Sequence, residues 1–352
     1  MWVDLIVTVI KVLVVSTVLL TGVPIMVWVE RRGSAMIQDR LGPNRVGPMG
    51  LLQPVVDAVK LMTKEDLTPE GVTGTNRFLY LLAPAIALVV AVSTFIVVPF
   101  GYDPGLELFG HAIGGFVVAP DLDLGILYLF AVGSLGVYAL VLAGWGSNNK
   151  YSLLGGIRAS AQMISYELAM VISVVGVLMV TGSFSLDDVV LHQAGTWFGF
   201  IPKWNVIPQL IGAITFMVAV FAETNRLPFD MVEAEAELVV GYHTEYSSMR
   251  FASFFMAEYI NMITASSLIV VLFFGGWTLP GIATPGGWLG ALATIGIFAA
   301  KVAFFLWFFV WVRWTLPRFR FDQLMALGWK WMIPLAVLNF LWVGVAMALG
   351  YL

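Results

Sequence analysis

The chain has 352 residues, 60% of them hydrophobic and only 11% charged, with a mean hydropathy of +0.91. A water-soluble domain carries about a quarter charged residues, so this chain lacks the polar surface to face water on all sides and a soluble enzyme is excluded. It has no cysteine, which excludes thiolate-ligated iron–sulfur clusters, Cys-zinc sites and disulfides within the chain, while the formal net charge of −4 conceals a strong asymmetry in where the charges sit.

A helix needs about 20 apolar residues to cross a hydrocarbon core roughly 30 Å thick. In chain order the runs that qualify are about 5–29, 78–100, 124–145, 161–181, 206–224, 251–276, 289–312 and 331–351. None alternates in the manner of lipid-facing barrel strands. The expected fold is therefore an all-α integral membrane protein: one polytopic domain over 1–352, a bundle of about eight transmembrane helices. The first run ends in Glu30-Arg31-Arg32 and is too long for the core of a cleavable signal, so a spanning helix is expected there.

Orientation follows from the basic residues. The segments joining spans 1–2, 3–4, 5–6 and 7–8 hold fifteen lysines and arginines, whereas the opposite loops hold only Lys203. The positive-inside rule places the four basic loops in the cytoplasm, or the matrix if the chain is organellar, with both termini outside.

The first cytoplasmic loop, Glu30 to Gly71, begins with Gly42-Pro43-Asn44 and Gly47-Pro48, which demand repeated turns. From Pro48–Gly50 onward, Leu51, Leu52, Val55, Val56, Val59 and Met62 fall largely on one face, opposite Gln53, Asp57, Lys60 and Lys64. The pattern predicts an amphipathic helix in the membrane interface. A connector packed on the bundle and a lid over an amphiphile's entry path are both open readings.

Within the spans, Glu167 stands beside Tyr166 and Glu258 beside Tyr259. An ionisable group in a span costs at least about 2.5–3.5 kcal/mol, so it normally faces a partner or a wet cavity. A proton relay is one reading, and a structural pair with a basic residue such as Lys301 is the other. Lys11, near the outer end of span 1, can snorkel and is assigned no role.

The third cytoplasmic loop, Ala222 to Phe251, carries Glu223, Asp230, Glu233, Glu235, Glu237 and Glu245. Were 230–240 helical, Asp230, Glu233 and Glu237 would share a face and Glu235 would point elsewhere. Coupled carboxylates screened from water can store and pass on protons. A solvated acidic loop remains the alternative, although Leu227, Pro228, Phe229, Met231, Val232, Leu238 and Val239 interleave with the acids. His111, His192 and His243 are scattered without a metal-ligand partner, and no P-loop, dinucleotide fingerprint or nucleophile elbow is present. No metal site and no nucleic-acid partner are expected.

These loops carry a resemblance. QDRLGPNRVGPMGLLQPVVDAVKL from Gln38 to Leu61, AETNRLPFD from Ala222 to Asp230, EAEAELVVGY from Glu233 to Tyr242, FFMAEYINM from Phe254 to Met262 and PRFRFDQLM from Pro317 to Met325 resemble, in order and over essentially the whole chain, the heel membrane subunits of respiratory complex I. These are the H subunit of the bacterial proton-translocating NADH:quinone oxidoreductase and subunit 1 of its mitochondrial counterpart. The resemblance implies a subunit that is not catalytic alone and lines the tunnel by which a lipid quinone, the substrate, reaches its reduction site. It implies no cofactor in this chain, with NADH, FMN and iron–sulfur clusters in partner subunits. It implies contacts with the peripheral-arm quinone-site subunits, with small membrane subunits adjoining the antiporter-like ones, and with lipid, in a bacterial inner membrane or the mitochondrial one. Carried over by position, Glu30, Arg31 and Arg313 match the quinone chamber, and Glu223, Asp230, Glu233, Glu235 and Glu237 the acidic funnel. Glu167 and Glu258 match intramembrane carboxylates leading toward the pumping subunits. A related subunit of a membrane-bound hydrogenase or of a ferredoxin- or F420-linked dehydrogenase, and a stand-alone cation/proton antiporter, are the rival readings.

Overall fold

The computed structural model describes residues 2–108, 111–119, 122–197, 199, 201–231, 241–280 and 287–351. The expectation of a helical integral membrane protein is met: seven helical spans among these residues are long and apolar enough to cross a membrane. The helices are α1 (Trp2–Ile37), α2 (Gln53–Thr63), α3 (Gly74–Thr94), α4 (Gly125–Gly133), α5 (Leu135–Gly146), α6 (Lys150–Thr181), α7 (Leu186–His192), α8 (Leu210–Glu223), α9 (Ser248–Phe273), α10 (Trp288–Thr315), α11 (Phe321–Leu327) and α12 (Ile333–Ala348). Two short antiparallel hairpins, Tyr102–Leu108 with His111–Gly115 and Thr196–Trp197 with Ile201–Pro202, occupy the connections assigned to the outer side.

The fifth expected span, 206–224, is the one that falls short. Residues 205–209 form turns, and α8 has only 14 residues, about 21 Å at 1.5 Å per residue and less than a hydrocarbon core. Pro208 lacks a backbone donor to extend the helix backward, and its carbonyl accepts from Trp342 Nε1 at 3.1 Å. The apolar run is longer than its helix because the helix is packed inside the bundle, with Phe216, Ala219 and Val220 buried.

Two helices outrun the bilayer. α6 has 32 residues, about 48 Å. It starts eleven residues before the expected span because the Asn149 side chain accepts from the Tyr151 N–H, capping the first turn, and it stops at Gly182 in the left-handed region. α1 runs on through Glu30 to Ile37, so the charged Glu30-Arg31-Arg32 sequence lies on a rigid extension of the first span. The last span is continuous from Phe321 to Ala348 but passes through a π-turn at Gly328–Met332, where the Tyr166 ring crowds Gly328 and the Tyr166 hydroxyl donates to the Leu324 carbonyl at 2.9 Å.

α6 is the hub, packing against α5, α8 and α12, while α3 packs against α5 and α9. The α5–α6 crossing needs small residues. A Cβ on Gly144 would stand 2.6 Å from the Ser152 carbonyl oxygen, so the two backbones touch only because that side chain is missing. The main core joins Phe216, Ile260, Phe273, Phe305 and Phe309, and a satellite cluster stacks Tyr80 on Tyr246 at 4.2 Å.

The amphipathic helix forms as α2, after a turn in which Gly50 has φ 74 and sits so close to Pro43 that a Cβ would overlap its carbonyl. Val55, Val56, Val59 and Met62 remain exposed. The bundle does not cover this face.

Candidate functional site

Glu30, on the extension of α1, is 6% exposed and is held by three elements distant in sequence. Arg226, in the segment after α8, places Nη1 at 3.2 Å from its Oε1. Arg313, near the end of α10, pairs with the same oxygen. Tyr259 on α9 donates its hydroxyl to Oε2 at 2.5 Å. The next residue, Arg31, does not join this carboxylate, since successive helical side chains diverge by about 100°; it pairs with Asp57 of α2 at 2.5 Å.

A cavity of ≈ 270 Å³ opens at this place, lined by Glu30, Arg31, Arg40, Tyr259 and Arg313 among others. The three residues grouped as a chamber by resemblance, Glu30, Arg31 and Arg313, therefore border one space. Phe255 and Trp314 supply apolar wall, so the cavity offers both charged donors and a surface for a flat ring.

Arg226 is 4% exposed and faces two carboxylates. Besides Glu30, its Nε lies 2.7 Å from Glu258 Oε1, as an ion contact rather than an aligned hydrogen bond. Its guanidinium carbon stands 4.3 Å over the Tyr259 ring. Burial opposes the charge on Arg226, but Glu258 and Glu30 more than offset it and hold the group above its ordinary pKa. Glu30 and Glu258 balance Arg226 and Arg313, so the quartet is formally neutral where a lone charge would be costly.

Glu258 also borders a second, inner cavity of ≈ 100 Å³, lined by Glu223, Thr94, Tyr242, Asn261 and Thr264 among others. The break between α4 and α5 faces it, and a Cβ on Gly133 would stand 3.8 Å from Glu223 Oε1. Glu167 is half-buried and close enough to Glu223 for the two charges to repel. It shares its helix face with Met163 and Met170, four residues before and three after, and both line the cavity. Glu223 and Glu258 thus line the inner cavity, Glu167 stands near Glu223 without lining it, and Glu30 borders the outer one.

Asp230 is buried and accepts from Arg318 Nη2 at 2.8 Å. Asp230 and Met231 are irregular. Glu233, Glu235 and Glu237 lie outside the described residues, as does the rest of the face proposed to join them to Asp230. Lys301 does not pair with either intramembrane glutamate. Its ammonium donates to the carbonyls of Phe274, Gly276 and Thr278 at 2.8, 2.9 and 2.7 Å, sealing the end of α9, and the basic partner of Glu258 is Arg226. Lys11 donates to the Gly115 carbonyl at 3.4 Å. Among the described residues no group of three or more His, Asp and Glu could hold a metal ion.

Sequence reasoning passed over Arg226 and Tyr259. Both lie in the motifs that carried the resemblance, and the available signal was an arginine at the end of an apolar run, beside six acids in the same loop.

Comparison with known proteins bears on what this arrangement belongs to. The family model for NADH dehydrogenase matches residues 10–344. The chain belongs to this family. Among its relatives, the NADH-quinone oxidoreductase H subunit of Bdellovibrio bacteriovorus is 46% identical, covering 94% of this chain and 93% of the relative. An H subunit of the same enzyme from Koribacter versatilis is 47% identical over 98% of both chains. That of Leptospira biflexa is 49% identical over 92% of this chain and 90% of its own. The family resemblance read from the loops is thus upheld over nearly the full length, and the chain is a subunit of an oxidoreductase complex, complex I.

Proposed function

We propose that this chain forms the quinone chamber of an NADH:quinone oxidoreductase and couples quinone reduction to proton translocation through its clustered carboxylates. The observation that carries the reading is the convergence of Glu30, Arg31 and Arg313 on one cavity with apolar aromatic wall, linked through Arg226 to the carboxylate-lined cavity inside the bundle. Arginine donors suit the headgroup carbonyls, and Phe255 and Trp314 suit its ring. The exposed apolar face of α2 beside this cavity suits a helix at the membrane surface, past which an amphiphile enters.

Electrons arrive in this reading from an iron–sulfur cluster of a peripheral-arm subunit, with NADH and FMN bound farther away in partners. Small membrane subunits continue the path from Glu167 and Glu258 toward the antiporter-like ones. The membrane is a bacterial inner membrane, with the basic loops cytoplasmic. Protons consumed at the quinone change the charge near coupled carboxylates, and those charges bias the conformation of the bundle.

The test is Arg313→Gln in the intact complex, assayed with NADH and a short-chain ubiquinone. Loss of one charged donor raises the KM for quinone about tenfold, while NADH oxidation by an artificial acceptor that bypasses the quinone is retained. An unchanged quinone KM overturns the chamber.

A further inference from the structure

Arg226 stands between the two cavities described above and is not among the residues that line either. The outer cavity is bordered by Glu30 and Arg313, and the inner one by Glu223 and Glu258. Arg226 is buried among them, with Nη1 at 3.2 Å from Glu30 and Nε at 2.7 Å from Glu258. Tyr259 fixes this geometry, its ring against the guanidinium and its hydroxyl on Glu30.

We propose that Arg226 is a positioning residue that makes the affinity of the outer cavity for a quinone headgroup depend on the charge of Glu258. The inference rests on the chamber reading above. Glu30 has two guanidinium partners and Arg226 two carboxylates, so the pairs are in competition. While Glu258 is charged, Arg226 is shared, and Glu30 leans on Arg313. When Glu258 is neutral, all of the attraction of Arg226 falls on Glu30, and Arg313 is released toward the cavity it lines. Paired with Glu30 through Nη1, Arg313 can still donate from its other N–H groups, but its charge is shared with that carboxylate; released, it brings its full charge and its whole fork to a headgroup carbonyl. A neutral Glu258 therefore tightens headgroup binding. By linkage, a bound headgroup favours the neutral form of Glu258 to the same degree.

The route needs no movement of α1, α9 or α10, only redistribution of ion pairs and hydrogen bonds around a fixed arginine. Arginine suits this place because its fork presents Nε and Nη1 to different acceptors at once; a lysine has one nitrogen and would serve only one carboxylate well.

The experiment is a double-mutant cycle on the assembled complex, read as KM and kcat for short-chain ubiquinone. Glu258→Gln is expected to lower KM about fivefold, whatever it does to kcat. In an Arg226→Gln background the same substitution leaves KM unmoved, since the shared partner is gone. Should Arg226→Gln fail to assemble, Arg226→Lys replaces it, with the KM effect of Glu258→Gln reduced by at least half. A Glu258→Gln complex whose KM is unchanged or raised overturns the proposal, as does an equal KM effect with and without Arg226. The parent reading is judged separately by Arg313→Gln. A shift there, with none for Glu258→Gln, removes only the role of Arg226; no shift at Arg313 removes the chamber itself.

Discussion

Tyr259 on α9 donates its hydroxyl to Glu30 on α1 at 2.5 Å, joining helices 229 residues apart in sequence at the point where the outer cavity begins. The bond goes to a buried carboxylate already shared by two arginines. Removing it by Tyr259→Phe leaves shape and ring contact intact. Hydrogen bonds to charged groups contribute about 1.5–3 kcal/mol, so the thermal midpoint of the purified complex falls, and the KM for quinone changes with it. A Phe variant with unaltered midpoint and KM would show that the arginines alone hold Glu30.

Glu167 tests the proton path. Glu167→Gln keeps size and much of the hydrogen bonding but cannot titrate. With Glu167 near Glu223, which lines the inner cavity, proton-coupled quinone reduction drops on the order of a hundredfold in a complex that still assembles. Full coupled activity in a well-assembled variant would sink the relay role; failure to assemble would mark a structural charge instead.

Lys301 has a different part. Its three bonds hold the carbonyls after α9, so Lys301→Met strands three acceptors and destabilises the subunit by about 3 kcal/mol or more. Assembly yield and thermal midpoint suffer, whereas quinone KM in the surviving complex is unchanged. A changed KM with normal stability would contradict this.

His243 gives a pH signature. It is 6% exposed between Tyr242 and Phe251, and burial pushes its pKa down to about 4 from 6.5. The unfolded chain takes up the proton first, so the neutral-imidazole contribution is complete above about pH 6.5 and is lost as pH falls toward 4, by about 3 kcal/mol in all. Thermal midpoints of wild type and His243→Gln, compared at pH 7 and pH 5, should diverge less at the lower value. Parallel curves would refute it.

Topology can be read directly. With the basic loops cytoplasmic, a tag after Leu352 is labelled by impermeant reagent from the outer face and a cysteine placed at Lys64 only from the inner one. Labelling in the opposite sense would overturn the orientation.

The sequence by itself determined the class and most of the segmentation, because a bilayer imposes a length and an apolar composition on every spanning helix and those constraints are local. It also placed an amphipathic helix that became Gln53–Thr63, and its motifs fixed the family. The tertiary structure alone decided what the charges do. Glu30, Arg226, Glu258 and Arg313 come from four separate segments, and no periodicity relates residues that meet only when α1, α9 and α10 pack. The same limit explains Lys301, which suited an intramembrane glutamate on charge alone but finds three carbonyls instead. It explains α8 as well, where an apolar run of spanning length yields a 14-residue helix, since burial inside a bundle and contact with lipid ask for the same composition.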